Sequence, residues 1–437
     1  MKNFFTKVAL LALVAAVAFL WWRNSQLRQP APVAVAAPPP APAPVPDRAA
    51  VLAQIEKQTS ALRELPFKNP VNYKSIGRDE LKQYLKGKIG EQYSAQELHD
   101  YGRTLETLGV IPAGTDLMEA ILGLYDEQVA AFYVPEERAL YTFKEKSFAS
   151  NLEKVTLAHE LTHALQDQNY DLTKFPLKAK DNDDLALATS ALVEGDATSL
   201  MAEFYGEYLD TSNMLGDMLS GVMGQKTEKF QAAPTFLRES LLFPYQQGLQ
   251  FAMALKEARA LGRAFEHPPV STKEILHPEK FLKDRHAPEP IALAKIDKPG
   301  WRLIGNNVLG EFGVRSLLAE QKIGAFEALR VADGWNGDRY HVYEQGTNGP
   351  CVLIWETAWE TTGDAEEFVT TYTYLAGKRN VRLALERAGK RVTVRQASEE
   401  NPPGPRTAFL QGQACIAVGK YREAAQLDRK STRLNSS

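Results

Sequence analysis

Cysteine, histidine and long apolar runs are all scarce in this 437-residue chain, and each shortage excludes something. Two cysteines, Cys351 and Cys415, are too few for a disulfide scaffold or a thiolate zinc site. No Lys/Arg run stands out, and the formal net charge is −3, which argues against a dedicated nucleic-acid binder. The longest apolar run, Val8 to Trp22, is shorter than the roughly 20 residues a helix needs to cross a bilayer core. What remains, 44% apolar and 24% charged residues, is the balance of a globular protein long enough for two or three cores.

The N-terminus reads as an export or anchoring segment. Lys2 and Lys7 precede the apolar run and Arg23 closes it. Phe4 and Phe5 extend it if Lys7 snorkels, and Trp21 and Trp22 suit the headgroup interface. No small-x-small cleavage site follows directly, which favours an uncleaved signal anchor over residues 1–28; a signal cleaved after export is the alternative. Either way the body is delivered outside the cytoplasm, with the inner membrane and periplasm as the expected setting. Residues 29–46, "QPAPVAVAAPPPAPAPVP", form a Pro/Ala linker that favours polyproline II, either as a spacer or as a disordered tail.

Globular sequence begins at Asp47. Apolar periodicity predicts helices over "RAAVLAQIEKQTSALREL", "RDELKQYLKGKI", "SAQELHDYGRTLETLG" and, capped by Asp116, "DLMEAILGLYDE". "QVAAFYVPEERALYTF" reads as a β-hairpin turning at Pro-Glu-Glu-Arg. After a Pro-rich stretch ending in Gly300, residues 299–428 read as a small α+β domain with strands in "DRYHVYEQ", "CVLIWETAWE", "RVTVRQA" and "QACIAVGK". Trp335, Trp355 and Trp359 there are either core or a ligand surface. A disulfide between Cys351 and Cys415 is expected in an oxidising compartment, with two buried thiols as the alternative. The last residues, 429–437, carry no structural pattern and resemble a sequence foreign to the natural protein; a native tail is the alternative.

The chemistry sits in "KVTLAHELTHALQDQ", residues 154–168. Ser150 with Glu153 predicts a helix starting near Asn151. His159 and His163, four apart, project from one helical face and can reach one metal ion, while Glu160 can contact a water on it. Histidines merely satisfied by hydrogen bonds are the alternative. A third ligand is offered by Glu194, a lone carboxylate in the otherwise small and apolar helix "LALATSALVEGDATSL". Ser190, Ala191, Ala197 and Thr198 would let that helix approach the histidine helix, and Gly195 inside it implies a packing or site reason.

His159-Glu160-Leu161-Thr162-His163 followed by Glu194 resembles the gluzincin, thermolysin-like metallopeptidases. The phrases "YDEQVAAFYVPEERALY", "ALVEGDATSL" and "PPVSTKEILHP" are similar to a largely uncharacterised bacterial family in that group, over about residues 50–290. The resemblance implies an α+β, mainly helical zincin-like domain over 47–298 with a small edge-strand sheet, and one Zn2+ held by His159, His163 and Glu194. It departs from the thermolysin-like pattern at Thr198, where an Asp would orient the first histidine; Asp196 is the nearby acid.

Three ligands leave a position for water, whose pKa zinc lowers to near 7, with Glu160 as general base. His277 is the first candidate for the oxyanion donor and Tyr245 the second; capping or packing at the helix end before Pro278 is the other reading of His277. The strand around Val129 to Val134 would receive a peptide as an added strand. The expected function is therefore a membrane-tethered envelope peptidase. A non-catalytic zincin-fold binding or assembly protein is the alternative, disfavoured because a structural site needs no general base and tends to have a fourth protein ligand.

Overall fold

The computed structural model describes residues 47–397, apart from 126–130, 211–229, 231, 286, 322 and 380. The expected anchor (1–28), the Pro/Ala linker, the strand at "QACIAVGK" and the tail lie outside the described residues. No helix among the described residues is long and apolar enough to cross a membrane.

The fold is mixed α+β. In the first part of the chain come α1 (Arg48–Arg63), β1 (Asn72–Ile76), α2 (Arg78–Gln92), α3 (Ala95–Leu108), α4 (Leu117–Tyr125), β2 (Ala131–Val134) and β3 (Ala139–Phe143). Then follow α5 (Asn151–Tyr170), α6 (Asp183–Tyr208), α7 (Thr235–Glu257), α8 (Leu261–Glu266), α9 (Thr272–Leu276) and α10 (Pro278–Asp284). The last part holds β4 (Trp301–Asn307), α11 (Gly310–Glu320), α12 (Ala325–Asp333), β5 (Trp335–Gln345), β6 (Cys351–Trp359), α13 (Thr362–Arg379), β7 (Arg382–Ala388) and β8 (Arg391–Ala397).

Two sheets organise these elements. β2 and β3 form the hairpin, turning through a short 3-10 segment to Arg138 at φ 47°; β1 adds in parallel on the far side of β3. The order β1-β3-β2 leaves β2 at an edge. Its inner face and α5 enclose a core that includes Ala131, Leu140, Leu157, Leu161 and Phe204. The second sheet is antiparallel throughout, in the order β4-β5-β6-β8-β7.

The expected boundary at 298/299 does not divide the interior. Leu105 and Leu108 of α3 and Leu117 of α4 share one core with Leu317, Trp355, Phe368 and Leu375. Amphipathic α3 buries its apolar stripe here, and Arg379 donates to the carbonyls of Thr107 and Leu108 near its end.

Of the two readings of Trp335, Trp355 and Trp359, the structure shows core: each is fully buried. Their indole N–H groups are satisfied inside: Trp335 and Trp355 donate to the two carboxylate oxygens of Asp338, each at 3.0 Å, and Trp359 to Thr357 Oγ1 at 2.8 Å. Cys351 is buried, with its Sγ against the Arg103 guanidinium; the bridge expected with Cys415 falls outside the described residues.

Candidate metal centre

Helix α5 begins where its sequence dictates. The Ser150 hydroxyl accepts from the Glu153 N–H at 3.3 Å, supplying the N-cap. The expected reciprocal bond is replaced by an ion pair of Glu153 with Lys146. One turn apart on the buried side of this helix, His159 and His163 set their rings perpendicular, with centroids 4.7 Å apart. Their Nε2 atoms face each other across 3.1 Å.

Glu194 completes the triangle from α6: its Oε2 lies 3.1 Å from His159 Nε2 and 3.4 Å from His163 Nε2. Three ligands held at about 2.1 Å from one zinc in tetrahedral geometry stand about 3.4 Å apart. Two imidazoles and one carboxylate converging at that spacing fit zinc in both geometry and donor type. The imidazoles and carboxylates act strongly on one another. Burial depresses His163, but the carboxylates of Glu194 and Glu160 outweigh it and lift the imidazole to about 9. Burial likewise favours a neutral Glu194, yet the two imidazoles hold it well below the usual carboxylate range.

A single side chain fixes the second histidine. His163 Nδ1 donates to Gln166 Oε1 at 2.9 Å, which leaves the Nε2 lone pair aimed at the centre of the triangle. Both protons of the Gln166 amide are used in turn, on Val193 O at 3.0 Å and Asp196 Oδ2 at 2.9 Å. Arg63 of α1 closes the chain on the same Asp196 oxygen at 2.9 Å. Asp196 therefore works through Gln166 rather than on a histidine. For His159, Nδ1 is buried with no hydrogen-bond partner, as is Thr198 Oγ1, the group standing where the thermolysin-like pattern has its orienting acid.

Helix α6 meets the histidine helix through Val193 O and Glu194, and the packing reason for Gly195 lies with a further element, α7. A Cβ on Gly195 would meet Gly248 O of α7 at 2.1 Å and its Cα at 2.7 Å.

Glu160 stands beside the triangle, where both imidazoles and Glu194 act on its charge. Its Oε2 accepts the backbone N–H of Tyr133, on edge strand β2, at 2.8 Å. Burial raises its pKa, partly offset by the two imidazoles, which moves it toward the range a general base uses. The Tyr133 hydroxyl reaches Asp167 Oδ2 at 2.8 Å, so its ring runs along α5. Beyond it lies a cleft of about 530 Å³ lined by Tyr133, Arg138, Ala164, Asp167 and Asp171. Glu160, Ala164 and Asp167 follow one stripe of α5 at helical spacing, and Asp171 caps the helix end.

No curated protein matches the chain. No solved structure matches it either. One family model does: residues 301–403 match a domain of unknown function (DUF8575). That match covers the five-stranded sheet and its helices and leaves the His159–His163–Glu194 triangle outside it.

The two expected oxyanion donors part company. Tyr245 of α7 stands beside one member of the triangle, its ring stacked 6.2 Å from that of His159. His277 does not: its Nε2 lies 2.8 Å from Glu311 Oε1 and 3.3 Å from Asp333 Oδ1, in a separate cluster. The physical reason lies in α9, which docks on the start of α6 through the Thr272 N–H to Asp184 Oδ1, 2.9 Å. Asp184 and Glu194 are ten residues apart on that helix, about 15 Å at 1.5 Å per residue. His277 also gives no side-chain cap to α10.

Sequence reasoning missed Gln166 as an orienting group, Arg63 behind it, and the Tyr133 N–H on Glu160. Gln166 alone had a signal, three residues after His163 on the same face.

Proposed function

We propose that this chain is a zinc-dependent hydrolase of the gluzincin type, a peptidase tethered by its N-terminal segment with the body outside the cytoplasm. The observation that carries this reading is the convergence of His159, His163 and Glu194 beside a carboxylate, Glu160, that is no part of the triangle. A purely structural zinc site would have no use for that extra acid.

His159, His163 and Glu194 would hold the ion, which when bound supplies a Lewis acid that acidifies water and polarises a carbonyl. Glu160 takes the proton of the attacking water as oxygen bonds to the carbonyl carbon, then delivers it to the amide nitrogen as the C–N bond breaks. The Tyr245 phenol, beside His159, is the donor for the oxyanion in place of His277.

A substrate strand would run along β2, whose described residues are Ala131–Val134, gaining affinity from main-chain hydrogen bonds. In the present state the Tyr133 N–H is engaged by Glu160, so substrate pairing there exchanges one partner for another.

A peptide-library digest by the purified chain tests this reading. Cleavage that stops on chelation and returns with zinc supports it; cleavage indifferent to chelator contradicts it.

A further inference from the structure

The segment "STKEILHP" is densely built and takes no part in the proposed chemistry. His277 stands at the junction of α9 and α10 and projects toward α11 and α12. One ligand atom each from His277, Glu311 and Asp333 lies within 4.8 Å of the other two. His277 Nε2 is 2.8 Å from the Glu311 oxygen and 3.3 Å from the Asp333 oxygen. These separations need to open only slightly to reach the roughly 3.4 Å of ligands around one ion.

Glu311 provides the second, independent observation. Its side chain is only 6% exposed, yet Oε2 is buried with no hydrogen-bond partner. A buried carboxylate with an idle oxygen is costly unless a cation takes up its charge. The nearest ammonium, Lys273, stands 3.9 Å off, beyond hydrogen-bond reach. It is committed elsewhere: to Asp333 O at 2.8 Å, to Trp335 O, and to Glu360 Oε1 at 2.6 Å, an oxygen shared with Lys280.

We infer that His277, Glu311 and Asp333 form a second metal site, which takes a divalent ion of the zinc class and clamps the α9–α10 segment to α11 and α12. An imidazole with two carboxylates suits zinc or manganese rather than calcium, which prefers oxygen alone. Asp333 is 61% exposed, so water can complete the coordination sphere. Glu311 and Asp333 fall within the stretch that matches the domain of unknown function, whereas His277 precedes it. Bound metal would thus join that stretch to the part of the chain carrying the His159–His163–Glu194 triangle.

The test is zinc content of the full chain after zinc loading and dialysis against metal-free buffer. Two ions per chain are expected, one in Asp333→Asn, one in His163→Ala and none in the double variant. Because Asp333 is largely exposed, Asp333→Asn should fold, and its unchanged far-UV spectrum would show that it does. A second readout uses the His163→Ala background, where added zinc should raise the melting temperature and Asp333→Asn should abolish the rise.

Unchanged zinc content in Asp333→Asn overturns the inference and leaves a protonated His277 paired with two carboxylates. Loss of all zinc in His163→Ala overturns it too. If His163→Ala keeps the wild-type content while Asp333→Asn loses an ion, this site stands and the proposed catalytic centre falls.

Discussion

Gln166 and His163 are joined by a 2.9 Å hydrogen bond that sets which imidazole nitrogen faces the proposed metal position. Replacing the amide with a hydrocarbon, as in Gln166→Leu, should weaken zinc binding at the triangle about 10–100-fold, the usual cost of losing an orienting partner. It would also strand the Val193 carbonyl and loosen Asp196 from α5, lowering stability by about 1–3 kcal/mol. Competition against a chelating dye reads the affinity directly. An unchanged dissociation constant would remove Gln166 from the account.

Gly195 matters because the atoms opposite it are backbone and cannot rotate away. Gly195→Ala should cost about 1–3 kcal/mol through overpacking, and it should reduce zinc retention because Glu194 is the adjacent residue. Gly206, exposed near the end of the same helix with nothing within 4 Å of where a methyl would sit, is the control. Gly206→Ala should be neutral or stabilise by up to about 1 kcal/mol on helix propensity. Equal melting temperatures for the two variants would contradict the close-packing argument.

The first turn of α6 carries a pH dependence of its own. Burial, with Asp338 and Glu311 nearby, pushes Asp184 up to about 7 despite hydrogen bonds from Thr272. An acid raised in the folded state above its unfolded value of about 3.9 contributes stability at low pH. That contribution is lost as pH rises toward and through about 7, by up to about 4 kcal/mol. Asn at this position keeps an acceptor for Thr272 and has no charge to bury. Asp184→Asn should therefore gain melting temperature relative to wild type between pH 5 and pH 8 at fixed zinc. A difference between the two proteins that stays constant with pH would exclude the effect.

What the sequence made legible was local. Ser150 and the four-residue histidine spacing act within one helix, and the apolar runs on either side of Pro135 suffice for the β2–β3 hairpin. Glu194 stood out because a carboxylate is out of place among small apolar residues. The rest depends on partners far along the chain. Arg63 reaches Asp196 across 133 positions, and β1 joins β3 in parallel from before three intervening helices. His277 read equally as a helix-end residue or an oxyanion donor because its partners, Glu311 and Asp333, come from two later helices. Core was the expected place for the three tryptophans, but the acceptor for two of their N–H groups, Asp338, was not legible.

The most direct measurement of the central claim compares wild type with Glu160→Gln for both zinc content and peptide turnover. Glu160 is outside the triangle, so its amide should leave zinc content and fold intact. Turnover should fall by about 10²–10⁴-fold, the contribution of a positioned general base. Equal cleavage by the two proteins at equal zinc content would contradict the account.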